Sequence, residues 1–156
     1  MGSEFGQERA WDPTRELDWH ALEDQRHRQV ASAVRDLGEL YRRTTSLHAD
    51  DSDHTGFRWL DPDDAQRCVI SYMRVNGDAF AIVVLNFAAV NYEEYVVGVP
   101  QRGAYQVAFD SDAAVYGGGG ATRMRRAESA DNPSMGLSHS LALALPALSG
   151  VVITLA

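Results

Sequence analysis

Residues 67–87 read RCVISYMRVNGDAFAIVVLNF, two apolar-rich runs hinged on Asn76-Gly77-Asp78. Asn and Gly tolerate the positive φ angles of a primed two-residue turn, so this is a strong hairpin signal. In the second run, Ile82, Val84 and Asn86 fall on one face of a strand, and Val83, Leu85 and Phe87 on the other. A strand apolar on nearly both faces belongs in the middle of a sheet. Cys68, at the start of the first run, reads as a small buried strand residue.

Working outward, the same period of two recurs. Gly56–Trp59, Tyr92–Val97, Tyr105–Phe109, His139–Leu145 and Val151–Leu155 are rich in β-branched or aromatic residues. They are separated by turn chemistry at DPDD (61–64), PQRG (100–103) and PALSG (146–150). Seven or eight short strands at turn-marked intervals predict an antiparallel two-sheet β-sandwich. Residues 117–136, with GGGG followed by an arginine-rich TRMRR, show no period and read as a long loop within it.

Upstream the period changes. Val30, Val34, Leu37, Leu40 and Tyr41 recur at helical spacing from Asp24 to about Thr44, with Arg26, Arg28, Arg35, Asp36, Arg42 and Arg43 on other faces. Asp24 is placed to cap the N-terminus, and Arg42 and Arg43 suit the negative end of the helix dipole. The chain is therefore mainly β, with one amphipathic helix ahead of the sandwich.

Its 156 residues carry a net charge of −8, and all fourteen basic residues are arginine. That balance argues against nucleic acid, whose phosphates are bound through clustered cations. One cysteine allows no internal disulfide. No apolar run approaches the ~20 residues that span a bilayer, so no membrane partner is expected and the expected location is cytoplasmic.

Gly117–Gly120 lack the Lys-Ser/Thr pair of a phosphate loop. Asp51–Gly56 begin like a calcium loop, but Pro62 stands where the closing glutamate is needed, so a solvated acidic turn is expected. His20, His27, His48, His54 and His139 show no metal-ligand spacing, and no serine sits in a nucleophile elbow. Arg123, Arg125 and Arg126 read as solvated loop charges. The expectation is no catalytic residue, no metal and no cofactor. Aromatics have a functional alternative, because Trp11, Trp19, Trp59, Tyr92 and Tyr95 could stack on sugar rings. For Trp59 and Tyr95 core packing is expected, while for Trp11 and Trp19 both readings stay open.

The order MGSEFGQERAW (1–11), LDWH (17–20), helix and sandwich, with GFRW (56–59), NF (86–87), VGVP (97–100), SDAAVYGG (111–118) and HSLALALP (139–146), resembles the C-terminal third of bacterial 1,4-α-glucan (glycogen) branching enzymes of the α-amylase-type glycoside hydrolase superfamily. The resemblance implies that residues 1–45 are the last strand end, loop and helix of a (β/α)8 barrel. Residues 46–156 would then be an α-amylase-type C-terminal all-β domain with Greek-key connections. Barrel active sites lie on the loops after the strands, so Glu4, Gln7, Trp11 and, further along, Trp19 are the implied glucan-contacting residues. Ala10 departs from the family's usual glutamate and loses whatever polar contact that position makes.

The implied chemistry is retaining transfer of an α-1,4-glucan chain to a 6-hydroxyl, through a carboxylate nucleophile and a carboxylic acid/base. The resemblance places those carboxylates on the fourth, fifth and seventh barrel strands, outside these residues, and Glu93-Glu94 on a strand should point to opposite faces. The chain by itself is expected to be inert. Its expected partners are the barrel portion of the parent enzyme and α-glucan. The helical stripe should dock on the sandwich or pair between chains as a homo-oligomer. The alternative is a free-standing carbohydrate-binding or interaction module, which would have no use for EFGQE and LDWH.

Overall fold

In the computed structural model, residues 1–122 and 125–156 are described. Arg123 of the arginine-rich run lies outside the described residues. Short 3₁₀ turns at Ser3–Phe5 and Trp19–Glu23 lead into helix α1, Gln25–Arg43. Eight strands follow: β1 (Phe57–Asp64), β2 (Val69–Asn76), β3 (Ala79–Asn86), β4 (Tyr92–Val99), β5 (Ala104–Asp110), β6 (Arg126–Glu128), β7 (His139–Leu145) and β8 (Ser149–Leu155).

One sheet has the order β1-β2-β3-β8-β5-β6, the other is the pair β4-β7, and every pairing is antiparallel. β8 inserts between β3 and β5 while β4 and β7 cross to the second layer, so the chain weaves between sheets instead of meandering within one. The hairpin closes at Asn76↔Ala79 and Gly77 adopts φ 58°, as its turn requires. β3 lies between β2 and β8, the central place that its two apolar faces predict.

Alternation assigns the two faces. Ile82 and Val84 of β3, with Val151 and Ile153 of β8, enter the core between the sheets against Tyr95, Val97, Leu141 and Leu143. Ala81, Val83 and Val152 face the opposite way and are covered by Leu40 of α1. Each such side chain fully withdrawn from water contributes roughly 1.5–3 kcal/mol, so the layer between the sheets dominates the stability.

Four local expectations change. β1 runs through Asp61-Pro62-Asp63 instead of turning there, with register shifts after Trp59 and after Asp61. An edge strand accepts a proline because one of its sides needs no ladder bond. The turn falls later, and Cys68 sits in it with φ 52°, exposed, not buried in a strand. Within the expected long loop, Arg126–Glu128 pair with Ala104–Gln106. Trp59 is 51% exposed on the outer face, whereas Tyr95 is fully buried as expected.

α1 is capped by Asp24, whose carboxylate accepts from the Arg26 N–H at 2.7 Å. Leu40 is buried against the sheet, but Val30, Val34, Leu37 and Tyr41 remain exposed. Of the stripe, Leu40 alone is buried on the sandwich. Polar ties complete the seat. Tyr116 Oη donates to Asp36 Oδ2 at 2.8 Å, and burial first, then that carboxylate, pushes the Tyr116 phenol up to about 12. Tyr41 Oη donates to Asp51 Oδ2 at 2.6 Å, and Asp51 also pairs with Arg74 of β2. The acidic turn after the helix thus clamps α1 to the sheet. Among the described residues no helix is long and apolar enough to cross a membrane.

Candidate functional site

The leader is built around a tight turn. Gly2 and Gly6 adopt φ 88° and 68° on either side of Ser3–Phe5, a region that costs a side-chain-bearing residue about 1–2 kcal/mol. This turns Phe5 inward, where it is 4% exposed, and His27 Nδ1 of α1 lies 2.8 Å from the Phe5 carbonyl oxygen. Trp19 lays its ring 5.2 Å from that of Phe5 at a 32° tilt.

Gln7 organises the loop that follows. Its Oε1 accepts from the Asp18 N–H at 2.8 Å and its Nε2 donates to the Arg9 carbonyl at 2.9 Å. Arg9 grips both Asp18 carboxylate oxygens, at 2.7 and 3.2 Å, and donates to the Glu16 carbonyl at 2.9 Å. The hydrogen bond from Arg9 holds the Asp18 carboxyl below its ordinary value. Glu4 is exposed and its carboxyl is likewise lowered, first by its own backbone N–H. Trp11 and Trp19 are each more than half exposed.

Of the four residues singled out from the sequence, Gln7 and Trp19 are thus brought to one junction through Asp18 and Phe5. Gln7 has both ends of its amide engaged inside the loop. Glu4, Trp11 and the Trp19 face present polar and aromatic surface outward. At the same junction Glu8, Asp18, His20, Glu23, Asp24 and His27 line a shallow depression of about 340 Å³. Among the described residues no group of three or more His, Cys, Asp or Glu side chains converges as a metal site would require. Glu93 and Glu94 are both exposed, on a stretch of β4 whose register slips between Tyr92 and Tyr95.

A second surface was not legible in the sequence. On the outer face of the six-stranded sheet, Phe57 stacks on Tyr72 at 5.2 Å, and Trp59 meets both edge-on at 4.8 and 6.1 Å. The signal was the spacing Phe57-Arg58-Trp59, which puts two aromatics on one face of a strand. Next to this cluster, a groove of about 600 Å³ runs between α1 and the sheet, walled by Leu37 and Tyr41 and floored by Tyr72, Val83, Leu85 and Phe109.

Comparison with known proteins adds the following. Residues 59–156 match the alpha amylase, C-terminal all-beta domain family. The chain is 43% identical, over 97% of its length, to the 1,4-alpha-glucan branching enzyme GlgB of Nitrosospira multiformis, and 46% identical, again over 97%, to that of Burkholderia thailandensis. It spans about a fifth of the length of these relatives, 20% and 18% respectively, and not the third expected from the resemblance. Among solved structures, a debranching enzyme from Nostoc punctiforme superposes with a TM-score of 0.62 over 98% of this chain and 26% of its own, at 18% identity. That last likeness speaks to the fold alone.

Proposed function

The chain belongs to the alpha-amylase C-terminal all-beta domain family, and from that premise we propose that it works as the C-terminal portion of a 1,4-alpha-glucan branching enzyme, transferring α-1,4-glucan chains to a 6-hydroxyl to make α-1,6 branches. One observation carries the reading. The identity to the branching enzymes extends over 97% of the chain, so it takes in the leader and helix ahead of the family match at residues 59–156. A free-standing all-β module has no need of that leader.

Within such an enzyme, residues 1–45 form part of the catalytic barrel and residues 46–156 the separate sandwich. Retaining transfer needs two carboxyl groups about 5 Å apart in a shaped cleft. Glu93 and Glu94 are exposed on a sheet surface, and of the acids around the leader depression Asp18 is held by Arg9 and Asp24 caps α1; the likeness to branching enzymes puts the reacting acids elsewhere in the polypeptide, and on that reading this portion alone is inert. Glu4, Gln7, Trp11 and Trp19 border the glucan: the two indole rings offer apolar faces to pyranose rings, while Gln7, through the Asp18 N–H, holds the loop that presents them.

The test has two arms. Incubated with amylose, the chain alone should leave the iodine spectrum unchanged. Grafted in place of the matching fifth of the Nitrosospira multiformis enzyme, it should restore branching. Conversion by the isolated chain, or a folded graft without activity, would overturn the proposal.

A further inference from the structure

The loop between the two 3₁₀ turns of the leader has no apolar anchor. None of residues 8–17 is buried, and the bonds at its tip are local: Asp12 Oδ1 accepts from the Thr14 N–H and hydroxyl, and the Arg15 N–H donates to the Asp12 carbonyl. Among the described residues no backbone hydrogen bond spans it. Its two ends nevertheless meet, in the manner of an Ω-loop held by its own side chains.

Side chains close that neck, and one guanidinium makes most of the closure. Gln7 contributes a single bond across it, Oε1 accepting from the Asp18 N–H at 2.8 Å. Arg9 contributes three. Its Nε and Nη2 donate to the two Asp18 carboxylate oxygens at 3.2 and 2.7 Å, and Nη2 donates again to the Glu16 carbonyl at 2.9 Å. A planar fork on a carboxylate fixes direction as well as distance, which a point charge cannot do.

Sequence position gives the fork its consequence. Arg9 lies two residues before Trp11, and Asp18 directly precedes Trp19. Trp19 is seated on Phe5, ring to ring at 5.2 Å, and Phe5 is buried, so the Asp18 end of the fork is fixed to the fold. The other end carries Trp11, which is more than half exposed. With no buried side chain between them, the place of Trp11 relative to Trp19 is set through the Arg9–Asp18 pair. A partly exposed ion pair adds little stability, so what this one contributes is geometry.

We propose that Arg9 is a positioning residue, whose two-pronged grip on Asp18 fixes Trp11 relative to Trp19 so that both indoles meet the same α-glucan chain; this rests on the function proposed above.

Arg9→Lys keeps the charge and removes the fork. In the isolated chain it should leave the melting temperature within about 4 °C of the parent. With Trp19→Phe and Trp59→Phe leaving Trp11 as the single tryptophan, Arg9→Lys should lower its fluorescence anisotropy. Asp18→Asn should do the same, and the two together should do no more. In the graft into the Nitrosospira multiformis enzyme, Arg9→Lys should raise KM for amylose about fivefold with kcat within about twofold, because a displaced contact weakens binding of substrate and transition state alike. Trp11→Ala should raise KM to a similar extent, and Arg9→Lys in the Trp11→Ala background should add nothing. A KM unmoved by Arg9→Lys, KM effects that multiply, an anisotropy indifferent to Arg9→Lys, or a larger fall in melting temperature overturns the proposal. A folded graft that fails to branch, beside an anisotropy that does fall, strikes the function and leaves the fork standing.

Discussion

Replacing Asn86 by alanine should be among the most damaging single changes available in the sandwich. Asn86 is 2% exposed and joins three segments: Nδ2 donates to Val90 O at 2.9 Å and to Pro146 O at 2.7 Å, and Oδ1 accepts from Ala88 N at 2.9 Å. At about 1 kcal/mol per bond, Asn86→Ala should cost about 3 kcal/mol. Val90 is exposed and its carbonyl can turn to water, which keeps the figure from rising further. Pro146 O keeps one partner, because Ser149 Oγ donates to it at 2.7 Å. Ser149→Ala alone should therefore cost about 1 kcal/mol. Only the double variant strips both donors from Pro146 O, so its cost should exceed the sum of the singles by about 1 kcal/mol. Urea unfolding followed by far-UV circular dichroism measures all four proteins, and Asn86→Ala should lower the melting temperature by about 6–12 °C. Additivity within about 0.3 kcal/mol, or a loss below about 0.5 kcal/mol for Asn86→Ala, would refute this account of the clamp.

Asp24→Ala should cost about 1 kcal/mol, because it leaves the Arg26 N–H unbonded at the helix start, read by urea unfolding and by faster amide exchange in the first turn. Gly98→Ala should destabilise the fold by forcing the Ser134-Met135 segment off β4, since an added methyl would overlap the Ser134 carbonyl oxygen; a melting temperature within about 2 °C of the parent would contradict that. Asp51 and Asp110 should give opposite pH signatures. Tyr41 and then Arg74 hold the Asp51 carboxyl below 3.8, so its contribution is present above that pH and is lost as pH falls through the lowered folded value; Asp51→Asn should flatten the acid limb of the stability curve. Burial raises Asp110 above 3.8, so its folded carboxylate carries a penalty once pH rises past the unfolded value, and Asp110→Asn should gain stability at pH 7 but not at pH 3. For the sandwich face, Trp59→Ala should leave maltoheptaose-induced quenching of the leader tryptophans intact, and loss of that quenching would move the glucan contact from the leader to β1.

Much of the fold was local and therefore readable. The Asn76-Gly77-Asp78 stretch marks a tight hairpin whose two turn residues are Gly77 and Asp78, with Gly77 supplying the positive φ, Asp24 caps the first free N–H groups of α1 two residues away, and the period of two places Ile82 and Val83 on opposite faces before any partner is known. The candidate site was legible only as residue types. That Gln7 would turn both ends of its amide into its own loop depends on Asp18, eleven positions away, and on Arg9. Trp59 looked like a core residue because a tryptophan in a strand usually is one, and nothing local reveals which face of an edge strand the second sheet will cover.

The sequence by itself determined the antiparallel sandwich, the helix before it and its apolar seam, because these follow from side-chain periodicity and turn chemistry over a few residues. Tertiary structure decided where that periodicity yields: Pro62 is carried into β1 and Cys68 is pushed into a turn, since β1 is an edge with an unpaired side. It also decided that Asn86 and Ser149 at the groove bond the distant Pro146 carbonyl and that Leu40 is the helix residue buried on the sheet. Hydrogen-bond satisfaction and coverage of an apolar face are sums over the whole molecule, and no window of the chain contains them.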